Sequence, residues 1–426
     1  MNARPQRQAA LVALGRDALD CGRLTFVQDG RREYAAFAYA ANWLASADRF
    51  EISPDLPLAP GHVNRRAPTA EDSPFPFAIA DTEPDAWGTR LILRAHARRR
   101  QVEPSLAPLT RFDILASVDD FARLGAIRLR SEDGSFLRSG ERYRTPPLID
   151  LQKIYAASRA VEEGNETRAD LDYLQGKGTS LGGLRPKCSV LDTDGTLAIG
   201  KFPSVNDARS IPRGEVLALT LASRAGLDAA LARIEVLDAT PAAVIRRFDR
   251  AAEGARIPYL SGGSLLQANR AEDRSYTEIA DVLRRIGARP VEDVIELWSR
   301  LVFNLLVTNT DDHLWNLGVL YAGRGQWRLA PAFDVNPFPD KRPESKTWLA
   351  EDSGPIRSLE QLLGAAPYFG LSRPDAEAIV ARIAQATSNW REVATSRVIG
   401  LRERELEAFA PAFEQEPAHA ARALIR

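Results

Sequence analysis

The stretch from Val291 to Val307 reads as a long apolar helix, and it ends abruptly in Asn309-Thr-Asp-Asp-His-Leu-Trp-Asn316. A helix that apolar must be covered by other elements. The polar octet therefore emerges at the edge of a core, with two adjacent carboxylates, an imidazole and three carboxamide or hydroxyl groups within a few residues. One reading is a polar helix cap built from Asx turns. The other is a site of chemistry supported by the buried helix behind it.

The chain changes character at about residue 250. Beyond that point helical periodicity dominates: Tyr276–Ile286 carries Ile279, Val282, Leu283 and Ile286 at i, i+3, i+4 and i+7, and amphipathic segments continue to the C-terminus. Before it, strand patterns and turn signals prevail. Arg23–Gly30 ends in an Asp29-Gly30 hairpin tip, and Lys187–Leu191 with Leu197–Phe202 flank the turn Asp192-Thr-Asp-Gly195. Ala243–Phe248 reads as a further strand, preceded by a helix over Glu215–Ala225 that Gly226 closes. Thr82, with Asp85 three residues later, fits the start of another helix. That helix leads into Arg98-Arg-Arg100, which reads either as a solvated helix end facing its own dipole or as a phosphate contact. At roughly 150 residues per domain, 426 residues imply two or three domains or one two-lobed body.

Composition removes several classes of function. Lys and Arg total 56 against 57 Asp and Glu, a net charge of -1, so no global field draws the chain to DNA or to an anionic membrane. Cys21 and Cys188 lie in unrelated segments, and His62, His96, His313 and His419 are scattered, which leaves no zinc spacing and no disulfide framework. The N-terminal segment lacks an apolar signal core, and no run reaches the roughly 18 apolar residues needed to span a bilayer. The expected location is the cytoplasm, without membrane association.

Four features fall in a telling order. Ser180-Leu-Gly-Gly-Leu-Arg-Pro-Lys187 places Gly182 and Gly183 where backbone N–H groups could approach a phosphate, with Arg185 and Lys187 adding charge; it also reads as a plain tight turn before a strand. Lys201 stands in a strand, either buried against an anion such as ATP phosphate, with Glu215 of the next helix as partner, or on a solvated edge. Asp311 and Asn316 have the five-residue spacing of a protein-kinase catalytic loop, in which the Asp accepts the substrate hydroxyl proton and the Asn holds a metal ion. Asp334, in Pro331-Ala-Phe-Asp-Val-Asn-Pro337, follows a hairpin written in Leu317–Tyr321 and Gln326–Leu329, as a metal-binding Asp would. A phosphate-binding lysine, two metal ligands and a base come close to the full equipment for phosphoryl transfer.

The whole resembles the HipA family of serine/threonine kinase toxins. Pro84–Gly88, Val118–Ala126, Ser180–Lys187, Lys201–Ser204, Arg247–Arg250, Asn309–Asn316 and Pro331–Pro337 read as family motifs in family order. The resemblance implies an α/β (α+β), two-lobed, protein-kinase-like fold. Its divisions would be an N-terminal β-rich subdomain over 1–115, an α/β lobe over 116–250 with glycine loop and ATP lysine, and a mostly helical lobe over 251–426. It further implies Asp311 as catalytic base, Asn316 and Asp334 as magnesium ligands, and Lys201 on the phosphates. Phe248 would lie by the adenine, with His313, Gly182, Gly183 and Lys187 among the nucleotide contacts. Ser180 matches the family's regulatory autophosphorylated serine.

The implied cofactors are ATP and Mg2+. The implied partners are a small helix-turn-helix antitoxin of the HipB type, operator DNA reached only through that complex, and a protein substrate, which in the family includes an aminoacyl-tRNA synthetase. Two departures stand out: Arg185-Pro186 occupies a loop position where many members have Gln, and Trp315 replaces a residue that is often basic. Two other functions compete with the protein kinase, namely a small-molecule phosphotransferase and a catalytically quiet corepressor.

Overall fold

A computed structural model describes residues 5–30, 32–140, 145–174 and 185–425. Strands dominate the first part and helices the second, the mixed architecture expected from the sequence. The chain forms two compact units: one runs to Val205 and includes Asp249–Leu260, and the other comprises Asn206–Phe248 and the remainder from Ser261.

The first unit is built on an antiparallel sheet of β1 (Gln6–Leu14), β2 (Leu19–Asp29), β3 (Arg32–Tyr39), β4 (Val63–Arg66) and β5 (Ile127–Arg130), in the order β4-β3-β2-β1-β5. Period-2 alternation buries Val12, Leu24, Phe26 and Phe37 on one side. The Phe26 ring meets Phe75 and Phe112 at centroid distances of 5.7 and 6.2 Å. Gly22 is required by close approach, since a Cβ there would come within 2.5 Å of the Ala38 carbonyl oxygen and the Phe37 ring.

The helix expected after Thr82 runs over Ala86–Val102, and its cap is Asp85, which accepts from the Gly88 N–H at 2.6 Å. Thr82 instead donates to the Ile79 carbonyl and accepts from the fully buried Arg123. Arg123 also donates to the carbonyls of Leu115 and Val118, at 3.0 Å each. Nearby, Gly125 N–H and Arg250 both bond the Asp249 carboxylate. Two motifs, Val118–Ala126 and Arg247–Arg250, therefore meet in an internal polar network, joined by Thr82, where their work is architectural.

Lys187 opens the Lys187–Leu191 strand, which pairs with Leu197–Lys201. Its ammonium is buried and lies 3.2 Å from the equally buried Asp85 carboxylate. Asp85 thus both caps a helix and neutralises a buried cation. Asp85→Ala is expected to cost about 3–5 kcal/mol for the stranded lysine and about 1 kcal/mol for the cap. Urea unfolding should show that loss, with Asp85→Ala/Lys187→Met recovering most of it; a single-variant loss below about 1 kcal/mol would contradict the pairing.

In the second unit, the helix Ile211–Arg224 begins a turn earlier than the sequence indicated, and Glu215 is buried in it. It packs on the hairpin of Ala232–Leu237 and Thr240–Arg246, so the expected strand stops two residues short of Phe248. Tyr276–Ile286 matches its expected bounds, fixed by a capping box in which Ser275 and Glu278 exchange side-chain bonds to backbone. The apolar helix spans Pro290–Leu306 and buries Leu297, Trp298, Leu301 and Val302. Helices Arg373–Ser388, Trp390–Thr395, Glu403–Phe413 and Glu416–Arg422 complete the unit.

Candidate catalytic loop

The Pro290–Leu306 helix delivers the polar octet. Thr308, immediately after it, is held at φ +53°, a conformation unfavourable for a β-branched residue. The surroundings enforce it: Thr308 is buried, its hydroxyl donates to the Ala412 carbonyl at 2.7 Å, and its carbonyl accepts from Phe338 N–H at 3.1 Å. Asn309 then bonds backward to the Asn304 side chain at 3.2 Å and forward through its Oδ1, which accepts the Asn336 N–H at 3.3 Å. One carboxamide thereby connects the helix end to the turn that carries Asp334.

Within the octet, the Asn316 Nδ2 donates to the Asp311 carbonyl at 2.8 Å. That bond closes the five-residue loop and commits the nitrogen of the amide, leaving Asn316 Oδ1 as the oxygen available to a cation. Asp312 is buried and tied down on every side. Tyr276 OH donates to its carboxylate and its carbonyl, each at 2.8 Å, and Lys346 N–H donates to the carboxylate at 2.7 Å. Burial pushes the Asp312 carboxyl up to about 6. Burial also lowers the proton affinity of His313, which favours the neutral imidazole.

The Asp334 turn is set by Arg300, which donates to the Ala330 carbonyl at 2.7 Å and the Asp228 carbonyl at 3.0 Å. Asp334 itself has φ +55°. An aspartate in the left-handed region is strained by roughly 1 kcal/mol or more and persists only where neighbours fix it; here its Oδ1 accepts from Asn336 Nδ2 at 3.1 Å. Phe248 packs against Phe333, the residue before Asp334, with ring centroids 5.3 Å apart. Phe248, Asp311, His313, Asn316 and Asp334 all belong to the second unit. Of these five, His313 and Asn316 line a cavity of about 40 Å³, together with Asn304, Asn309, Asp312 and Phe333, and Asp311, Asp334 and Phe248 are not part of its wall.

Lys201 and Lys187 belong to the first unit, at the end and start of paired strands. Ser180, Gly182 and Gly183 lie outside the described residues.

The donor set fits a hard divalent cation. Asn316 and Asp334 offer oxygen ligands, and magnesium commonly takes only one or two protein groups and completes its shell with water and phosphate oxygens. Buried His313 Nδ1 and Asn336 Oδ1 have no partner among the described residues, which leaves two polar atoms beside the loop for a bound group to satisfy. Among the described residues no three His, Cys, Asp or Glu side chains gather into a metal cluster.

Residues 179–390 match the model of the HipA-like C-terminal domain, a span that contains the catalytic-loop octet and Asp334. The chain carries a HipA-like C-terminal domain. The chain is 26% identical over 359 residues to Putative kinase Y4mE of Sinorhizobium fredii, covering 75% of this chain and 76% of that protein. A second protein of the same organism, Putative kinase Y4dM, is 30% identical over 151 residues, or 32% of this chain and 36% of that one. In fold, 97% of the chain superposes on 96% of a chain from the Shewanella oneidensis MR-1 toxin–antitoxin complex of HipA, HipB and operator DNA, with a TM-score of 0.64 at 18% identity. The fold is thus the kinase-like HipA fold expected from the sequence.

Several residues that build or brace the candidate loop have no mark in the sequence: Asn309, Asp312, Tyr276, Asn336 and Lys346. Asn309 and Asp312 lay inside the octet but carried no spacing that assigned them a role. The other three reach the loop from distant segments.

Proposed function

We propose that this protein is an ATP- and magnesium-dependent serine/threonine protein kinase, the toxin of a toxin–antitoxin pair with a HipB-like helix-turn-helix antitoxin. The supporting observation is the loop closed by Asn316 Nδ2 on the Asp311 carbonyl. It ties the backbone of Asp311 to the Asn316 side chain at catalytic-loop spacing and does not engage the Asn316 amide oxygen. In this reading Asp311 accepts the proton of the acceptor hydroxyl, while Asn316 and Asp334 hold magnesium. Bound magnesium neutralises charge on the β- and γ-phosphates. Lys201 contacts the phosphates, Phe248 and His313 border the nucleotide, Gly182 and Gly183 belong to the covering loop, and Lys187, at the start of the strand that follows it, adds a further phosphate contact. For Lys187, the ion pair with Asp85 would have to loosen or be shared. Operator DNA is reached through the antitoxin, in keeping with a net charge of -1.

Autophosphorylation at Ser180 is the proposed regulation, since a phosphoryl group adds roughly -1.5 to -2 charges beside the ATP phosphates. Incubation with Mg-ATP followed by mass spectrometry should find phosphate on Ser180, and the modified form should bind ATP at least tenfold more weakly, about 1.4 kcal/mol. Labelling elsewhere only, or unchanged ATP affinity, would reject the autoinhibition.

The acceptor class is tested by incubating a cell lysate with γ-labelled ATP and separating protein from small molecules. Phosphoserine or phosphothreonine on protein is the expected result. Label confined to small molecules would favour the metabolite phosphotransferase instead, and no transfer at all would favour the corepressor.

A further inference from the structure

The octet Asn309–Asn316 contains two aspartates and no lysine or arginine. A catalytic carboxylate is effective only when one oxygen is held toward the acceptor hydroxyl, and a cation on its other oxygen holds it there. The structure brings one from outside the loop. Lys346 Nζ donates to Asp311 Oδ1, and among the described residues no other lysine or arginine pairs with Asp311.

This placement is built into the backbone. Lys346 N–H donates to Asp312 Oδ1 at 2.7 Å, and the neighbouring Thr347 hydroxyl donates to the Asp312 carbonyl at 2.9 Å. Two residues on, Trp348 N–H donates to the Arg274 carbonyl at 3.0 Å and its own carbonyl accepts Tyr276 N–H at 2.9 Å. Tyr276 then returns to Asp312 through its hydroxyl. The buried carboxylate next to the base therefore fastens the segment that carries the cation, and only the lysine side chain is left to order.

We propose that Lys346 is a positioning residue that acts through Asp311. By engaging Oδ1 it orients the carboxylate so that Oδ2 faces the acceptor hydroxyl. The proposal rests on the assignment of Asp311 as base. The pair is half open to water, with side-chain exposures of 51% for Lys346 and 37% for Asp311, so it adds little to folding and its removal leaves the unit intact.

The test compares wild type, Asp311→Asn, Lys346→Ala, Lys346→Met and Lys346→Arg in phosphoryl transfer from Mg-ATP, with ATP affinity by calorimetry and melting temperature measured in parallel. Lys346→Ala and Lys346→Met should lower kcat by roughly ten- to hundredfold, the cost of a misplaced catalytic group. Their ATP Kd should stay within about twofold of wild type, with melting unchanged. Lys346→Arg should return kcat to within about threefold, because a guanidinium can reach the same oxygen. Wild-type kcat in Lys346→Ala, a loss confined to ATP affinity, or Arg performing no better than Met would overturn the proposal. Equal transfer by wild type and Asp311→Asn is a different failure, because it removes the base assignment itself and the proposal with it.

Discussion

Asp311→Asn should abolish phosphoryl transfer while the protein remains folded. The substitution keeps side-chain volume and leaves the Asp311 carbonyl, which receives the Asn316 amide, untouched. What disappears is the ability to accept a proton from the acceptor hydroxyl, a contribution of about a hundred- to ten-thousandfold in rate. The ion pair with Lys346 also goes, but a pair this exposed is worth only about 0–1 kcal/mol of stability. Single-turnover transfer from Mg-ATP, read beside the melting curve and ATP affinity, separates these effects. A folded Asp311→Asn protein that transfers phosphate at the wild-type rate would remove Asp311 from the mechanism.

Asp334 carries the second large effect. Its φ of +55° is tolerated by Asn at least as well as by Asp. Asp334→Asn therefore removes the charge without the backbone penalty that Ala would add at the same position. If Asp334 and Asn316 share the magnesium, the neutral variant should lose on the order of ten- to hundredfold in magnesium-dependent ATP affinity, since even groups one layer outside a metal's ligands contribute that much. Affinity measured without magnesium should barely change. Calorimetry with and without the metal gives both numbers. Unchanged magnesium dependence in Asp334→Asn would place the cation elsewhere.

The parts of this molecule that could be read from sequence are those set by local patterns. Tyr276–Ile286 was bounded by a capping box and a strong apolar face, and the turn at Asp192–Gly195 fixed the register between Lys187–Leu191 and Leu197–Lys201. The octet announced itself because so many polar groups follow a helix that must be buried. What sequence concealed depends on contacts across long separations. Thr82 and Asp85 both suit a helix start, and only the placement of Arg123 against Thr82 leaves the cap to Asp85.

Lys187 illustrates the same limit. A lysine after glycines suggests a phosphate, yet in the fold it meets the Asp85 carboxylate, 102 positions away in sequence (187 minus 85). Lys346 and Asn336 carry no motif at all. They come to the catalytic loop because Asp312 and Asn309 bond the backbone of the segments that hold them. A site assembled by backbone anchoring of this kind leaves almost no trace in residue spacing.

The most direct measurement is the rate at which purified protein moves the γ-phosphate of ATP to an acceptor hydroxyl, with and without magnesium. Wild type should transfer phosphate to serine or threonine only when magnesium is present. Asp311→Asn should bind the nucleotide and transfer nothing measurable. A folded wild-type protein that binds Mg-ATP and yields no phosphorylated product, on itself or on lysate proteins, would contradict the account.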